Sequence, residues 1–384
     1  MENVRKLISY VLVAMLSSVV TMSVFCSVPK DDYSKLEGIA DLIETYFIED
    51  ADRTAMEDAA AAAMVASLGD EWSYYLTAEE SKKYTEQLEN AYVGLGVSIR
   101  VAQDGTGFSV VEVYPESSAE EAGILAGDVI IMIEGNSAAG MTSAQARKLI
   151  RGEEGTPVTL TVRRNGETIE MSATRKIVQT AVTNSQMLES GIGLVRIYNF
   201  DDRCAQETIA AIEDLLQQGA EALILDVRSN PGGYKEELVA LLDYLLPEGP
   251  LFRSEDYSGE IAVEESDAKY LDIPMAVMVD AYCYSAAEFF AAALDEYDAA
   301  VVVGTPTVGK GYFQKIFQLS DGSIVGLSIG KYMTPNGVSL ANVGITPEIC
   351  VEVDEKTTYM IYRDILDPKE DPQIQAAVEA LKTK

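Results

Sequence analysis

The chain has 384 residues, of which 48% are hydrophobic and 24% charged, so it can form two or three domains with a sizeable core. Its formal net charge of −33 disfavours contact with a phosphate backbone, and we expect no nucleic-acid partner. The absence of histidine excludes a Ser-His-Asp triad, a Cys-His pair and a His-ligated zinc site. A nucleophilic serine would therefore need another base, and a desolvated lysine can serve as one.

The N-terminal stretch 7–28 is uncharged and follows Arg5 and Lys6. Its length suffices for a transmembrane helix, and the basic residues predict that the N-terminal end stays cytoplasmic with the rest of the chain outside. A cleaved signal peptide is the alternative, although no clear small-x-small cleavage site is evident. We assign residues 1–29 to a membrane anchor or signal segment.

The following segment, 30–90, is acidic and predicts helices. An alanine-rich run at 57–66 has apolar positions at helical spacing. Thr77 is followed three residues later by Glu80, and this capping-box pattern predicts the start of another helix. We assign these residues to an N-terminal helical region.

In the segment 91–177, short β-rich runs alternate with glycine turns. The pattern predicts strands at 93–100, 108–113, 129–133, 158–163 and 169–173, and helices at 118–122 and 142–150. Asn165-Gly166 between the last two strands predicts a tight hairpin. The segment is therefore predicted to be a small β-barrel-like module with two helices.

Two runs in this module resemble a PDZ domain: Tyr92-Val93-Gly94-Leu95-Gly96-Val97, and residues 117–130 with their Ala-Gly and Gly-Asp pairs. The resemblance implies that the backbone of Leu95, Gly96 and Val97 binds a terminal carboxylate. It also implies that the adjacent strand edge accepts an extended peptide by β-addition. Taken alone, the glycines are better explained as turn residues, and it is the second run that favours a peptide groove.

The segment 178–350 alternates strands and helices, which predicts a layered α/β core. The predicted strands lie at 193–198, 223–227, 275–279 and 299–303, the helices at 205–218, 236–246 and 285–294, and an antiparallel hairpin at 314–325. Residues 351–384 form an acidic tail in which a helix is predicted at 372–382.

Three stretches of this core carry candidate chemistry, and the first contains Ser285. Ser285 opens a predicted helix, and Ser285-x-x-Glu288 is a capping-box pattern, so on this stretch alone a plain N-cap is the better explanation. A helix N-terminus also favours developing negative charge, and the N–H of Ala286 would point toward an oxyanion.

The second stretch contains Lys310, 25 residues after Ser285 and between Gly309 and Gly311. Gly304-x-x-x-x-Gly309-Lys310 looks like half of a phosphate-binding loop. However, Gly311 replaces the required Ser or Thr and a β-rich run follows, so nucleotide binding is disfavoured. Burial in a tight turn would lower the pKa of the lysine and make it a base. A surface lysine in a turn is the better explanation of this stretch alone.

The third stretch is the turn at 228–233, which reads Arg-Ser-Asn-Pro-Gly-Gly after a buried strand. Consecutive glycines let backbone N–H groups converge, which makes Gly232 a candidate second oxyanion donor. The alternative is an ordinary strand-to-helix turn.

Together the three stretches resemble the carboxy-terminal processing peptidases, or tail-specific proteases, which pair a PDZ domain with a Ser-Lys peptidase core. The nucleophile segment of that family falls on 282–288, its Pro-Thr-x-Gly-Lys-Gly run on 306–311, and its Arg-x-Asn-Pro-Gly-Gly turn on 228–233. Further matches lie at 74–80, 332–337 and 344–349, so the resemblance spans about 35–380. The departure is that Tyr282, Cys283 and Tyr284 replace small residues, which puts the shape of the substrate channel in doubt.

The resemblance implies a ClpP/crotonase-like α/β core with an inserted PDZ domain. It implies that Ser285 is the nucleophile, that Lys310 is the base, and that Gln314 holds the lysine. Gly232 and Ala286 would then stabilise the oxyanion, with no metal or cofactor.

The expected protein is thus a membrane-anchored, extracytoplasmic serine endopeptidase of the bacterial cell envelope that binds proteins by their free C-termini. Secretion after signal cleavage is the alternative localisation, and the resemblance suggests a homodimer built by terminal helices. A catalytically inactive PDZ scaffold is the alternative function. That alternative predicts loss of Ser285, Lys310 or Gln314, and all three are present.

Overall fold

The structure is a computed structural model that describes residues 34–382. The predicted anchor at 7–28 lies outside these residues. None of the helices within 34–382 is both long enough and apolar enough to cross a membrane.

The described chain divides into two compact units, and the first is helical. It contains α1 (Ser34–Tyr46) and most of α2 (Arg53–Ala66), which covers the predicted alanine-rich helix. Arg53 pairs with Glu44 at 3.1 Å, so an ion pair on the surface links the two helices.

The second unit begins at residue 65 and holds the remaining elements. Its helices are α3 (Ala78–Leu88), α4 (Ser118–Glu121), α5 (Ser143–Ile150), α6 (Cys204–Gln217), α7 (Lys235–Leu245), α8 (Ala286–Glu296), α9 (Glu355–Tyr362) and α10 (Pro372–Leu381). Its strands are β1 (Tyr74–Leu76), β2 (Ala91–Gly94), β3 (Val97–Val101), β4 (Phe108–Val113), β5 (Val129–Ile133), β6 (Asn136–Ser137), β7 (Pro157–Arg164), β8 (Glu167–Thr174), β9 (Lys176–Gln179), β10 (Thr183–Met187), β11 (Ile192–Ile197), β12 (Ala222–Asp226), β13 (Gly249–Asp256), β14 (Ile261–Ser266), β15 (Met275–Val279), β16 (Ala300–Gly304), β17 (Tyr312–Gln318), β18 (Ile324–Met333) and β19 (Ile349–Cys350).

A six-stranded sheet with the order β10-β11-β12-β15-β16-β19 organises the core. Its strands are parallel from β11 to β19, and β10 is antiparallel at one edge. Successive side chains of a strand point to opposite faces. Leu223 and Leu225 accordingly pack in a cluster with α6, α7 and α8, whereas Ile224 packs with α10 on the other face. The layered α/β core is therefore confirmed.

The module between residues 91 and 177 has a separate core around Phe108, Ile130 and Leu160. Its main sheet has the order β3-β4-β5-β7-β8, and the predicted Asn165-Gly166 turn joins β7 to β8. The single strand predicted at 93–100 is wrong, because β2 and β3 are separated by a turn at Gly96.

Gly96 explains this break. Its φ is 77°, and a Cβ at this position would lie 2.4 Å from the Cβ of Ser117. Only glycine fits such a close approach in the left-handed region. The turn leaves β3 as an edge strand that pairs with β4.

The module joins the α/β core through the short β2-β9 sheet. Arg203 Nη2 donates to the carbonyls of Asn90 and Thr180, at 3.0 Å each. These two residues flank the module on either side, so one guanidinium ties its entry to its exit.

Two features near the C-terminus contain more secondary structure than the sequence predicted. β18 of the predicted hairpin continues to Met333 and also pairs with β1 and β13, which builds a second sheet. The acidic tail contains a further helix, α9, and Ile374 and Ala377 of α10 are buried against the central sheet.

Candidate active site

The three candidate stretches follow the three adjacent parallel strands β12, β15 and β16. Because the carboxyl ends of parallel strands meet at one edge of a sheet, the loops that follow them form a crevice there. Backbone hydrogen bonds join these loops: Tyr284 N–H donates to Asn230 O at 3.3 Å, and Val308 N–H donates to Cys283 O at 3.1 Å. The topology therefore brings the predicted nucleophile, lysine and glycine turn together.

Ser285 lies at the N-cap of α8 with φ 58° and ψ −130°, a conformation that L-residues rarely adopt. It is 9% exposed and lines the cavity of the crevice. Its backbone N–H donates to Glu288 Oε2 at 3.1 Å, which is the predicted capping role of Glu288. Ser285 therefore occupies the N-cap of α8 and also faces the cavity.

Glu288 has a second role that the sequence did not reveal. This fully buried carboxylate also accepts hydrogen bonds from Gly309 N–H at 2.6 Å, Lys310 N–H at 2.8 Å and the hydroxyl of Thr307. Burial raises the pKa of Glu288, and these hydrogen bonds oppose the rise by favouring the charged form. One side chain therefore links the serine loop to the lysine loop.

The side chain of Lys310 is half-buried, and its ammonium group lies over two aromatic rings. Its Nζ lies 4.9 Å from the ring centroid of Trp72 and 5.7 Å from that of Tyr284. Burial lowers the pKa of Lys310 to about 8, and the negative charges of Asp70 and Glu288 act in the opposite direction. Trp72 was not among the predicted site residues, because no motif marks it.

The glycines around Lys310 permit a close-packed turn. A Cβ at Gly309 would lie 2.8 Å from Val343 N, and one at Gly311 would lie 2.6 Å from Ala341 N. Because backbone atoms cannot move aside easily, larger residues would displace the loop. The tight corner expected for Lys310 is confirmed.

Within residues 34–382, no hydrogen bond joins the side chain of Gln314 to Lys310. Its Nε2 donates to Ser328 Oγ at 3.1 Å and to Tyr312 O at 3.3 Å. The amide is therefore engaged elsewhere in this conformation, and the expectation that Gln314 holds the lysine stays a prediction. The physical reason is strand register: Gln314 stands opposite Ser328 beside a β-bulge, which directs its amide across the ladder.

Gly232 lies directly against the serine. Its φ is 90°, and a Cβ there would lie 2.8 Å from Ser285 Cβ and 2.9 Å from Ala286 N. However, its N–H donates to Asn230 Oδ1 at 2.8 Å, so the expected oxyanion donor is engaged elsewhere in this conformation. Ala286 is the first residue of α8, and an N–H at this position has no acceptor within its helix.

A cavity of about 1260 Å³ is lined by Ser285, Lys310, Gln314 and Gly232 together. Within residues 34–382, no hydrogen bond links Lys310 Nζ to Ser285 Oγ or to the Gln314 side chain. Three residues of the module between residues 91 and 177 line the same cavity: Tyr92, Arg147 and Arg151.

The predicted carboxylate-binding loop is separate from this cavity. Leu95 is buried, and its carbonyl accepts a hydrogen bond from Ala119 N–H at 3.0 Å. Gly96 and Val97 follow at the start of the edge strand β3. The backbone beside an edge strand is the place where an extended peptide can pair.

Comparison with known proteins points to one family. The sequence pattern of Peptidase family S41 matches residues 191–351, and that of a PDZ domain matches residues 109–164. The carboxy-terminal processing protease CtpA of Bacillus subtilis (strain 168) is 32% identical over 327 residues, which cover 84% of this chain and 70% of that protein. A carboxy-terminal-processing protease of Bartonella bacilliformis is 30% identical over 365 residues, which cover 91% of this chain and 83% of that protein.

A solved structure of a putative S41 protease from Bacteroides fragilis NCTC 9343 has a similar fold. Its TM-score is 0.53 at 17% sequence identity, and the match covers 90% of this chain and 97% of that one. At this identity the likeness concerns the fold alone.

Proposed function

Because the chain belongs to the carboxy-terminal processing proteases of Peptidase family S41 and is a serine-type peptidase, we propose that Ser285 is its nucleophile and Lys310 its general base. One observation carries this proposal. Both side chains line a single cavity at the carboxyl ends of adjacent strands, and burial lowers the pKa of Lys310 to about 8. A lysine with such a pKa is partly neutral at physiological pH and can accept a proton.

The proposed reaction proceeds through an acyl-enzyme. Neutral Lys310 takes the hydroxyl proton of Ser285 as Oγ forms a bond to the peptide carbonyl carbon. The resulting ammonium gives that proton to the leaving amine as the C–N bond breaks. Lys310 then takes a proton from water, which attacks the ester, and Ser285 recovers its proton when the ester C–O bond breaks.

The oxyanion would be stabilised by the N–H groups of Ala286 and Gly232. Ala286 begins α8, so developing negative charge benefits from the helix N-terminus. Gly232 can donate only after its N–H leaves Asn230 Oδ1. Substrate binding must likewise draw Lys310 from Trp72 toward Ser285, and Gln314 can hold the lysine only after leaving Ser328.

We propose that the PDZ module captures the free C-terminus of a protein substrate. The terminal carboxylate would meet the backbone of Leu95, Gly96 and Val97, and the preceding residues would pair with the edge of β3. Arg147 of the module lines the same cavity as Ser285. This shared cavity supports passage of the substrate chain from the module to the nucleophile.

We also propose that residues 7–28 anchor the chain and place the catalytic part outside the cytoplasm. The uncharged run and the preceding Arg5 and Lys6 support this orientation. Protease added to intact cells should then degrade the catalytic part. Degradation that requires lysis would contradict the proposal.

A homodimer remains a proposal from family resemblance. Deletion of residues 351–384 is unsuitable as a test, because Ile374 and Ala377 of α10 are buried in the core. Sedimentation of the intact chain over a range of concentrations should give twice the monomer mass. A monomer mass throughout would contradict it.

The catalytic proposal is tested with the full-length chain and an unfolded substrate that has an apolar C-terminus. Cleavage and labelling by a fluorophosphonate should occur in the wild type. Ser285→Ala should lose both, and Lys310→Ala should lose cleavage. Lys315→Ala, which removes an exposed lysine on β17, is the matched control and should retain activity. Labelling that survives Ser285→Ala would overturn Ser285 as the nucleophile.

A further inference from the structure

The catalytic cavity contains a buried carboxyl group that the proposed dyad does not use. Asp201 is 8% exposed and lines the cavity with Ser285 and Gly232. Within the part of the chain that the structure describes, its carboxyl oxygens make no hydrogen bond and no ion pair. Buried carboxylates normally have such partners, so a missing partner calls for an explanation.

Backbone hydrogen bonds to the glycine turn fix the position of Asp201. Phe200 forms a parallel bridge with Gly233, in which Phe200 N–H donates to Gly232 O and Tyr234 N–H donates to Phe200 O, both at 2.7 Å. Asp201 follows this bridge immediately. It is therefore held beside the glycine turn that packs on Ser285.

The charges around Asp201 do not neutralise it. Burial and the negative charge of Glu237 raise its pKa to about 7. The lysines that line the same cavity are held by other groups: Lys83 by Glu79, Lys235 by Glu264 and Lys310 by the Trp72 ring. Arg147 and Arg151 also line the cavity, and Arg151 pairs with Glu86 at 3.3 Å. Within residues 34–382, no ion pair joins any of these cations to Asp201.

Aromatic rings share this part of the cavity. Tyr84, Tyr234 and Tyr284 line it, and the charge of Asp201 adds to the effect of burial in raising the pKa of each phenol. A carboxylate beside aromatic faces is suited to a cationic group, because ring faces attract cations and the carboxylate supplies the opposite charge.

We propose that Asp201 determines specificity by binding a basic side chain, lysine or arginine, of the substrate close to the scissile bond. The inference rests on the proposed function, because it assigns a subsite to the same peptidase. A substrate cation would supply the partner that Asp201 lacks, whereas an apolar side chain of equal length would leave the carboxylate buried and unpaired. The neutral substrate is therefore discriminated against by the unpaired charge.

The preference should grow as pH rises through about 7, because only the ionised carboxyl attracts a cation. The titratable groups that face Asp201 are Glu237, Tyr84, Tyr234, Tyr284 and Cys204. None of these groups is cationic. Lys310 also titrates in this range, but its effect cancels in the ratio of two substrates cleaved by the same enzyme.

The test compares fluorogenic peptides that differ only in lysine or norleucine, placed in turn at each of the three positions on either side of the scissile bond. In the wild type at pH 8, lysine should raise kcat/KM at least tenfold over norleucine at one position. Asp201→Asn should reduce that ratio to about one, through slower cleavage of the lysine peptide, faster cleavage of the norleucine peptide, or both. Asp202→Asn removes an equal charge from the adjacent exposed residue and should keep the wild-type ratio.

Two results would overturn the proposal: a wild type without preference at any position, or a lysine preference that persists in Asp201→Asn. Neither result bears on the nucleophile, because cleavage of the norleucine peptide and its loss in Ser285→Ala test the peptidase itself. Thermal unfolding of each variant shows whether a change in the ratio of the two kcat/KM values arises from misfolding.

Discussion

The carboxylate of Glu288 accepts a hydrogen bond of 2.8 Å from the backbone N–H of Lys310. The same carboxylate accepts one from Ser285 N–H, although the two donors lie 25 residues apart in sequence. Hydrogen bonds to a charged acceptor are among the stronger ones in proteins, and here they are buried. The first turn of α8 therefore sets the relative position of the proposed nucleophile and base.

Replacement of Glu288 by glutamine should separate these loops. Glutamine keeps the size of the side chain but turns an NH₂ group toward backbone donors, so at least one buried N–H loses its acceptor. We expect kcat/KM to fall at least tenfold and the free energy of unfolding to fall by about 1–3 kcal/mol. Peptide cleavage and urea unfolding measure the two effects.

Glu296→Gln is the matched control at the other end of the same helix. The carboxylate of Glu296 also holds a loop, because it accepts hydrogen bonds from the Thr334 hydroxyl and from Asn336 N–H at 2.8 Å, but it does not line the cavity. A similar loss of stability with near-normal kcat/KM is expected. Equal losses of activity in both variants would mean that Glu288 acts only through stability.

The pH dependence of cleavage should report the proposed base. Burial lowers the pKa of Lys310 to about 8, and only the neutral amine can accept the proton of Ser285. We therefore expect kcat/KM to rise about tenfold per pH unit below 8 and to level above it. Lys310→Arg should be inactive throughout, because a guanidinium stays protonated. A wild-type rate that is already level at pH 6 would contradict Lys310 as the base.

The position of the site was predictable from sequence, whereas its conformation was not. Taken alone, the stretches around Ser285 and Lys310 were better explained as an ordinary cap and a surface lysine. It was the resemblance of the three stretches together to one family that placed these residues in one site. The contacts of Lys310 with Trp72 and of Gln314 with Ser328 depend on tertiary packing and strand register, which no short motif encodes. The same limit explains the missed break at Gly96, because the requirement for glycine comes from Ser117 in another loop.

Trp72 should tune the protonation of the proposed base. Its indole face lies against Lys310 Nζ and stabilises the ammonium, whereas leucine at this position would still exclude water but would lack the π face. Trp72→Leu should lower the apparent pKa of the kcat/KM profile from about 8 to between about 7 and 7.5. Trp72→Phe should give an intermediate value. A shift to higher pH would mean that the indole acts mainly by excluding water.

Asp201 should make the fold less stable as pH rises. Its pKa is raised from an ordinary value of 3.8 to about 7, so the native state holds a proton that the unfolded chain releases. The resulting stabilisation is complete below pH 3.8 and is lost as pH rises to about 7. The side chain introduced by Asp201→Asn is uncharged at every pH, so this variant should not lose stability as pH rises through this range. Its free energy of unfolding should exceed that of the wild type by on the order of 1–3 kcal/mol at pH 8.

The difference between Asp201→Asn and the wild type should shrink steadily from pH 7 to pH 4, because the wild-type carboxyl then becomes protonated in the native state. Asp202→Asn, at the exposed neighbouring position, should follow the wild type at every pH. Urea unfolding of the three proteins across this range provides the measurement. A variant that is less stable than the wild type at pH 8 would show that the carboxylate has a partner within the fold. Asp201 would then be a structural group that is not available to a substrate cation.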